Sequence, residues 1–221
     1  PAHSLAAVLD HLPNSRSPLA GEHAWHALIE LVADEQSIDG LPGLAESLLE
    51  SALDLGLLDD ATIAANETQA DAFWLLRDSI ASAERALGPA LQHDISVPVE
   101  KMPDFVTFAS REVENRFPGT KAIAFGHLGD GNVHFHVLAP AGAVHGVWQR
   151  GAGRPITSFV YDLVTRWGGS ISAEHGIGQS KREELQRLGD PARLAMMAAV
   201  KQALDPHGLL NPGKLVPLAP H

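Results

Sequence analysis

A chain of 221 residues with 45% hydrophobic content is long enough to bury a full domain core. Sixteen Lys and Arg against 27 Asp and Glu leave a net charge of −11, which repels nucleic-acid phosphate and anionic membrane surfaces and argues against both as partners. With no cysteine, disulfides, thiolate nucleophiles and Cys-ligated metals are excluded, so any ion must be held by imidazole and carboxylate.

There is no apolar run of about 18 residues to span a membrane, and the N-terminus lacks the basic-then-apolar order of a signal peptide, so a cytoplasmic setting is the expectation. Pro1 opens a polar segment, residues 1–22, that reads as a chain entered in its middle. Ala24 to Val32 is a short apolar run read as a strand. Leu44 to Leu55 has leucines and alanines at helical spacing between Pro42-Gly43 and Gly56. A brief strand at Thr62–Ala64 precedes one long helix, Asn66 to Leu87, closed by Gly88-Pro89. His93 to Val99 alternates as a strand with Ile95, Val97 and Val99 on one face, and Met102 to Arg116 is helical. Lys121–Phe125 and Val133–Leu138 are two strand arms. Pro155–Trp167 carries an apolar helical stripe stopped by Gly168-Gly169, and Asp190-Pro191 has the chemistry to start a last helix reaching Leu204. The expected class is α+β, a mostly antiparallel sheet with covering helices (23–140) followed by a mainly helical part (141–221).

Between the strand arms lies GHLGDGNVHFH, residues 126–136, with three of the chain's twelve histidines. Asp-Gly favours a two-residue turn of type I′, which wants positive φ at both central positions. Counting from that tip pairs Gly129 with Asn132, Leu128 with Val133 and His127 with His134, and puts His136 on the same face opposite Phe125. A lone hairpin histidine is most simply a surface residue, but three imidazoles on one face suit a divalent ion better than a proton. Two imidazoles need a third protein ligand, commonly a carboxylate. The other dense polar motif, GGSISAEHGIGQSK at 168–181, offers Glu174 and His175 side by side, so in extended backbone one can face an ion and the other a substrate. Its glycines Gly176 and Gly178 leave room for a flat ligand or a second backbone. The spacing of a phosphate loop is absent.

Together HLGDGNVH, SAEHGIGQSKREEL and the ending DPHGLLNPGK resemble the C-terminal domain of FAD-linked oxidases of the vanillyl-alcohol-oxidase superfamily. The D-2-hydroxyacid dehydrogenase branch is the most similar: D-lactate and D-2-hydroxyglutarate dehydrogenases and the FAD subunit of glycolate oxidase. Trp74-Leu75-Leu76-Arg77 and His93 to Pro98 also look like family blocks in the expected order. The resemblance implies a ferredoxin-like cap domain over residues 1–221 whose N-terminal FAD-binding partner domain lies outside this chain. It implies His127, His134 and Glu174 as metal ligands, with zinc foremost and manganese or iron as other candidates, and His175 as general base. It further implies Arg77 and His136 as substrate contacts, and Gly176, Gly178 and Asn211 near the flavin. The expected partners are a small 2-hydroxyacid, the FAD domain, an electron acceptor and, in a homodimer, a second copy. Gln92 departs from the pattern: many relatives carry lysine there, which argues for a monocarboxylate over a dicarboxylate substrate. Two readings of another class use the same residues: a His/His/Glu metal hydrolase, and a binding or dimerisation module with structural histidines.

Overall fold

The computed structural model describes residues 1–34 and 38–215. It divides into two compact units, Pro1–Leu87 and Gly88–His221. No helix among the described residues is long and apolar enough to cross a membrane.

The first unit is helical: α1 (Ala2–His11), a one-turn 3₁₀ helix (Ile38–Gly40), α2 (Leu41–Asp54), α3 (Glu67–Asp78) and α4 (Ile80–Ala86). Helix α1 lies within the polar opening segment, residues 1–22. Its Leu5, Val8, Leu9 and Leu12 follow the i, i+3, i+4, i+7 rule and pack with Leu76, Ile80 and Ala83. The expected strands at Ala24–Val32 and Thr62–Ala64 are both irregular. A strand is held by its ladder partner, and among the described residues of this unit neither run has one; Trp25, Ile29 and Val32 stay exposed. The single long helix expected over 66–87 breaks at Ser79, which caps α3 and leads into α4. Asp and Ser side chains compete with the backbone in mid-helix, and Asp78-Ser79 is the weak point. Asn66 starts α3 by accepting a bond from the Gln69 amide at 3.0 Å.

The second unit runs β1 (Ala90–Ser96), α5 (Met102–Arg116), β2 (Lys121–His127), β3 (Asn132–Leu138), α6 (Val147–Arg166), α7 (Arg182–Leu188) and α8 (Pro191–Leu204). The sheet order is β1-β3-β2, all neighbours antiparallel. After α6 the chain returns to β1 through a single antiparallel bridge, Ser96 to Ser170. This is the ferredoxin-like βαββα order with its fourth strand reduced to one bridge. Gly169 makes that approach feasible, since a Cβ there would stand 2.2 Å from the Ser96 carbonyl oxygen.

Strand β1 lies three residues earlier than the alternation suggests, because Pro98 cannot donate to a ladder and Val99 begins a 3₁₀ turn. Helix α6 starts at Val147, two turns before the expected Pro155; Gly151, Gly153 and the interior Pro155 hide it in the sequence. Helices α5 and α8 lie where expected, and Asp190 caps α8 by accepting from the Arg193 amide at 2.9 Å.

Period-two alternation gives the sheet two chemically different faces. Ile95, Val133, Phe135 and Val137 point into a core closed by Phe105 and Val113 of α5 and Ile156, Val160 and Val164 of α6. The opposite face carries Asp94 on β1, Asn132, His134 and His136 on β3, and Phe125 and His127 on β2.

One histidine belongs to the core side. His93 is 2% exposed, with Nδ1 2.9 Å from the Phe135 carbonyl and Nε2 3.1 Å from the Thr157 hydroxyl. Burial pushes its pKa down from 6.5 to about 4, so it is neutral at pH 7. A folded-state pKa below the unfolded value means that stability is complete above about pH 6.5 and is lost as pH falls towards about 4. Between pH 7 and pH 5 the protein should lose about 2 kcal/mol to this group alone. Urea unfolding of the wild type against His93→Asn at the two pH values should show that slope flattened in the variant; equal slopes would contradict it.

Candidate active site and metal centre

The hairpin differs from its two-residue reading. His127 pairs with Asn132 and Phe125 with His134, joined by a four-residue connection: a 3₁₀ turn at Leu128–Asp130 and Gly131 in left-handed backbone at φ 72°. The Asp130 carboxylate accepts from the Asn132 amide at 3.0 Å and tightens the turn, while the Gly131 carbonyl accepts from the amide of Val97, just past the end of β1, at 3.0 Å. The register is therefore two residues away from the counted one. A shift of two leaves every side chain on its face. His127 and His134 become diagonal neighbours, with ring centroids 5.8 Å apart and planes at 86°. His136 faces Ile123 rather than Phe125, yet its ring lies 5.4 Å from that of Phe125, which also packs on His134 at 5.0 Å.

The second half of the site comes from the segment after the Ser170 bridge. Ile171 is buried in the core, and the next four residues fold around Asp94. The Asp94 carboxylate is 4% exposed and accepts from the Ser172 hydroxyl (3.2 Å) and from the amides of Ala173 (3.2 Å), Glu174 (3.1 Å) and His175 (3.0 Å). The Lys181 ammonium donates to Asp94 Oδ2 at 3.2 Å and to Ser172 Oγ at 3.0 Å. Burial alone would raise the Asp94 pKa, but the His175 and Glu174 amides and the Lys181 ammonium outweigh it and hold the carboxyl well below the usual range. Lys181 is pushed down by its own burial and partly restored by Asp94.

So anchored, Glu174 and His175 project to the histidine face. Glu174 Oε1 lies 3.3 Å from His127 Nδ1, and the His175 ring centroid is 6.3 Å from that of His134. Ligands about 2.0–2.2 Å from a tetrahedral ion stand about 3.3–3.6 Å apart, so the Glu174 and His127 donors are spaced as if they shared one. Two imidazoles and a carboxylate are the donor chemistry that suits a divalent ion of the zinc type; His127 and Glu174 stand at that spacing, and the His134 ring lies 5.8 Å from that of His127.

Among the described residues, the three side chains whose donor atoms lie within 4.8 Å of one another are Asp94, Glu174 and His175. The Asp94 side of that set is compromised: its Oδ2 is crowded by amide, hydroxyl and ammonium donors, and the Lys181 ammonium 3.2 Å away repels a dication.

The remaining sequence-predicted residues are spread more widely. Gly176 and Gly178 adopt left-handed backbone (φ 74° and 54°), and no atom comes within 4 Å of where a Cβ would be, so both present bare backbone. Asn211 is also left-handed, at φ 46°. The tail carrying it is drawn back to the glycine segment: the Leu215 amide donates to the Gly178 carbonyl at 3.0 Å and Arg182 to the Gly213 carbonyl at 2.9 Å. Asp205, paired with Lys201, pins that tail by accepting from the Leu209 and Leu210 amides at 2.9 Å each. Arg77 belongs to α3 of the first unit, with Nη1 3.8 Å from Asp78. Sequence reasoning passed over Asp94 and Lys181. The available signal was parity: with Ile95 inward, Asp94 had to face the histidines.

Residues 2–215 match the family of FAD linked oxidases, C-terminal domain. The chain is 34% identical to the mitochondrial D-2-hydroxyglutarate dehydrogenase of Arabidopsis thaliana over 97% of its own length and 36% of that protein's. It is 32% identical to the D-2-hydroxyglutarate dehydrogenase of Xanthomonas citri pv. viticola, covering 96% of this chain and 43% of the relative. With that of Stutzerimonas stutzeri it shares 33% identity over 90% of this chain and 42% of the relative. The chain thus spans about two fifths of the length of the curated relatives it matches. A match over nearly every residue shows that the chain belongs to the family of FAD linked oxidases, C-terminal domain.

Proposed function

We propose that this chain is the substrate-binding domain of a flavin-dependent dehydrogenase that oxidises a D-2-hydroxyacid to the 2-oxoacid. The observation that carries the reading is the delivery of Glu174 and His175, on one anchored segment, to the face that holds His127 and His134. When bound, FAD accepts the hydride from the substrate Cα, and a divalent ion lowers the pKa of the hydroxyl it touches.

The chain's own residues do the rest. His127, His134 and Glu174 hold the ion, and His175, with its side chain 68% exposed, takes the hydroxyl proton. Arg77 binds the substrate carboxylate, for which a guanidinium fork is well shaped. His136 gives a further polar contact beside Phe125. The open backbone at Gly176 and Gly178, with Asn211 on the tail stitched to it, would let a flavin approach closely. Proton and hydride leave from adjacent atoms, so the hydroxyl-bearing carbon becomes a ketone with no other reactant. The N-terminal FAD domain is the partner that completes the site. The test is to express the complete reading frame and assay D-2-hydroxyacids with an artificial electron acceptor.

Gln92 refines the substrate class. It lies on the histidine face of β1, directly across from His136, and is exposed. A neutral amide there gives a second substrate carboxylate no cation. Gln92→Lys should lower KM for 2-hydroxyglutarate by roughly tenfold, the value of one charge-assisted bond, and leave KM for D-lactate within about twofold. Steady-state kinetics on both acids checks this; equal changes for the two would remove Gln92 from the account of specificity.

A further inference from the structure

Asp94 has no assigned part in this site, yet more of the site's bonds converge on it than on any residue discussed above. We propose that Asp94 is the positioning residue of the site: its carboxylate sets where Glu174 and His175 stand relative to His127 and His134. The inference rests on the functional reading above and concerns what makes that reading geometrically workable.

Three observations support it. First, Asp94 is the register partner of His134, so the carboxylate and that imidazole rise from the same face with Cβ atoms about 4.5–5.5 Å apart. Second, after the single bridge at Ser170, residues 172–175 have no strand pairing of their own. Their amides at 173, 174 and 175 instead point inward at one carboxylate, a backbone nest whose anion is supplied by the protein. Third, Lys181 and the Ser172 hydroxyl add two more donors to Asp94 Oδ2, so the charge is balanced locally. A carboxylate held by that many donors from one segment fixes the distance between the hairpin and the Glu174-His175 pair.

Asp94→Asn keeps the shape and turns part of the acceptor into a donor, setting N–H against N–H. Asp94→Glu keeps the charge but moves the acceptor by one methylene, and serves if the asparagine variant fails to fold. In the full-length flavoenzyme, either change should raise amide hydrogen exchange at Ala173, Glu174 and His175 roughly tenfold while the core amides of Val133, Phe135 and Val137 keep their rates. The dissociation constant for Zn²⁺ alone should rise about tenfold or more, as when other partners that orient metal ligands are lost. At saturating Zn²⁺, kcat should fall roughly tenfold or more and KM should move less than about threefold, because the change displaces the proton acceptor and not the group that takes the substrate carboxylate.

Unchanged exchange at 173–175 would overturn the proposal, as would a uniform rise that includes the core amides. A loosened segment with unchanged Zn²⁺ affinity and kcat would overturn it too. If the wild type takes up no Zn²⁺ and oxidises no hydroxyacid, the functional reading fails, whereas the exchange measurement still decides whether Asp94 holds the segment.

Discussion

His175→Ala in the full-length flavoenzyme is expected to lower kcat by about 10²–10⁴-fold while flavin content and Zn²⁺ affinity stay at wild-type values. That range is what a positioned proton acceptor contributes, and nothing next to His175 can replace it. Asp94, the nearest carboxylate, with Oδ2 4.0 Å from His175 Nδ1, has that oxygen crowded by amide, hydroxyl and ammonium donors, and a carboxyl held well below the usual range is a poor proton acceptor. Glu174 turns instead to His127. The loss should thus fall on the proton-transfer step and not on assembly. Glu174→Gln should behave differently, because it weakens the ion's hold and lowers turnover by way of metal content. Flavin absorbance, metal analysis and steady-state kinetics on the same preparations separate the two. A His175→Ala enzyme with near wild-type kcat would assign the proton to another group.

Phe135→Ala is expected to cost about 3–5 kcal/mol, a large fraction of the stability of a domain this size. Phe135 is fully buried, its ring 6.3 Å from that of Phe105, in the middle of the central strand. The residue before it, His134, points to the other face. His134→Ala should accordingly change stability by less than about 1 kcal/mol in metal-free protein and weaken Zn²⁺ binding by about a hundredfold or more, since one of three protein ligands is lost. Adjacent positions on one strand should thus separate stability from binding. Denaturant unfolding in the presence of chelator, with Zn²⁺ titration of each variant, tests the separation. A large stability loss in His134→Ala would mean that the imidazoles are structural and would favour a binding module over an enzyme.

Sequence pattern and structure coincide where local chemistry determines the outcome. Helix α5 has its periodicity and α8 its Asp-Pro start, and both form at the expected residues. The histidine face survives although the hairpin register does not, because a shift of two residues preserves parity, and parity is what a period-two pattern encodes. The turn departs from the two-residue form because Asp130-Gly131 also suits a 3₁₀ turn closed by a left-handed glycine, and the amide of Val97, just past β1, rewards that form. Pairing cannot be read from one segment, so Ala24–Val32 looked like a strand and Ser170 did not look like a bridge. Asp94 was hidden for the same reason: a lone acid in a strand acquires its meaning from amides about eighty residues away in sequence.

The central claim is that the hairpin histidines and the Glu174-His175 segment serve oxidation of a 2-hydroxyacid by a bound flavin. Anaerobic mixing of the full-length protein with each of a panel of D-2-hydroxyacids, followed by the visible flavin absorption, tests it most directly. Rapid bleaching is expected with at least one acid, with one equivalent of the 2-oxoacid formed per flavin and bleaching slowed by about 10²–10⁴-fold in His175→Ala. A flavin that stays oxidised with every acid, or is reduced equally fast in wild type and variant, would contradict it.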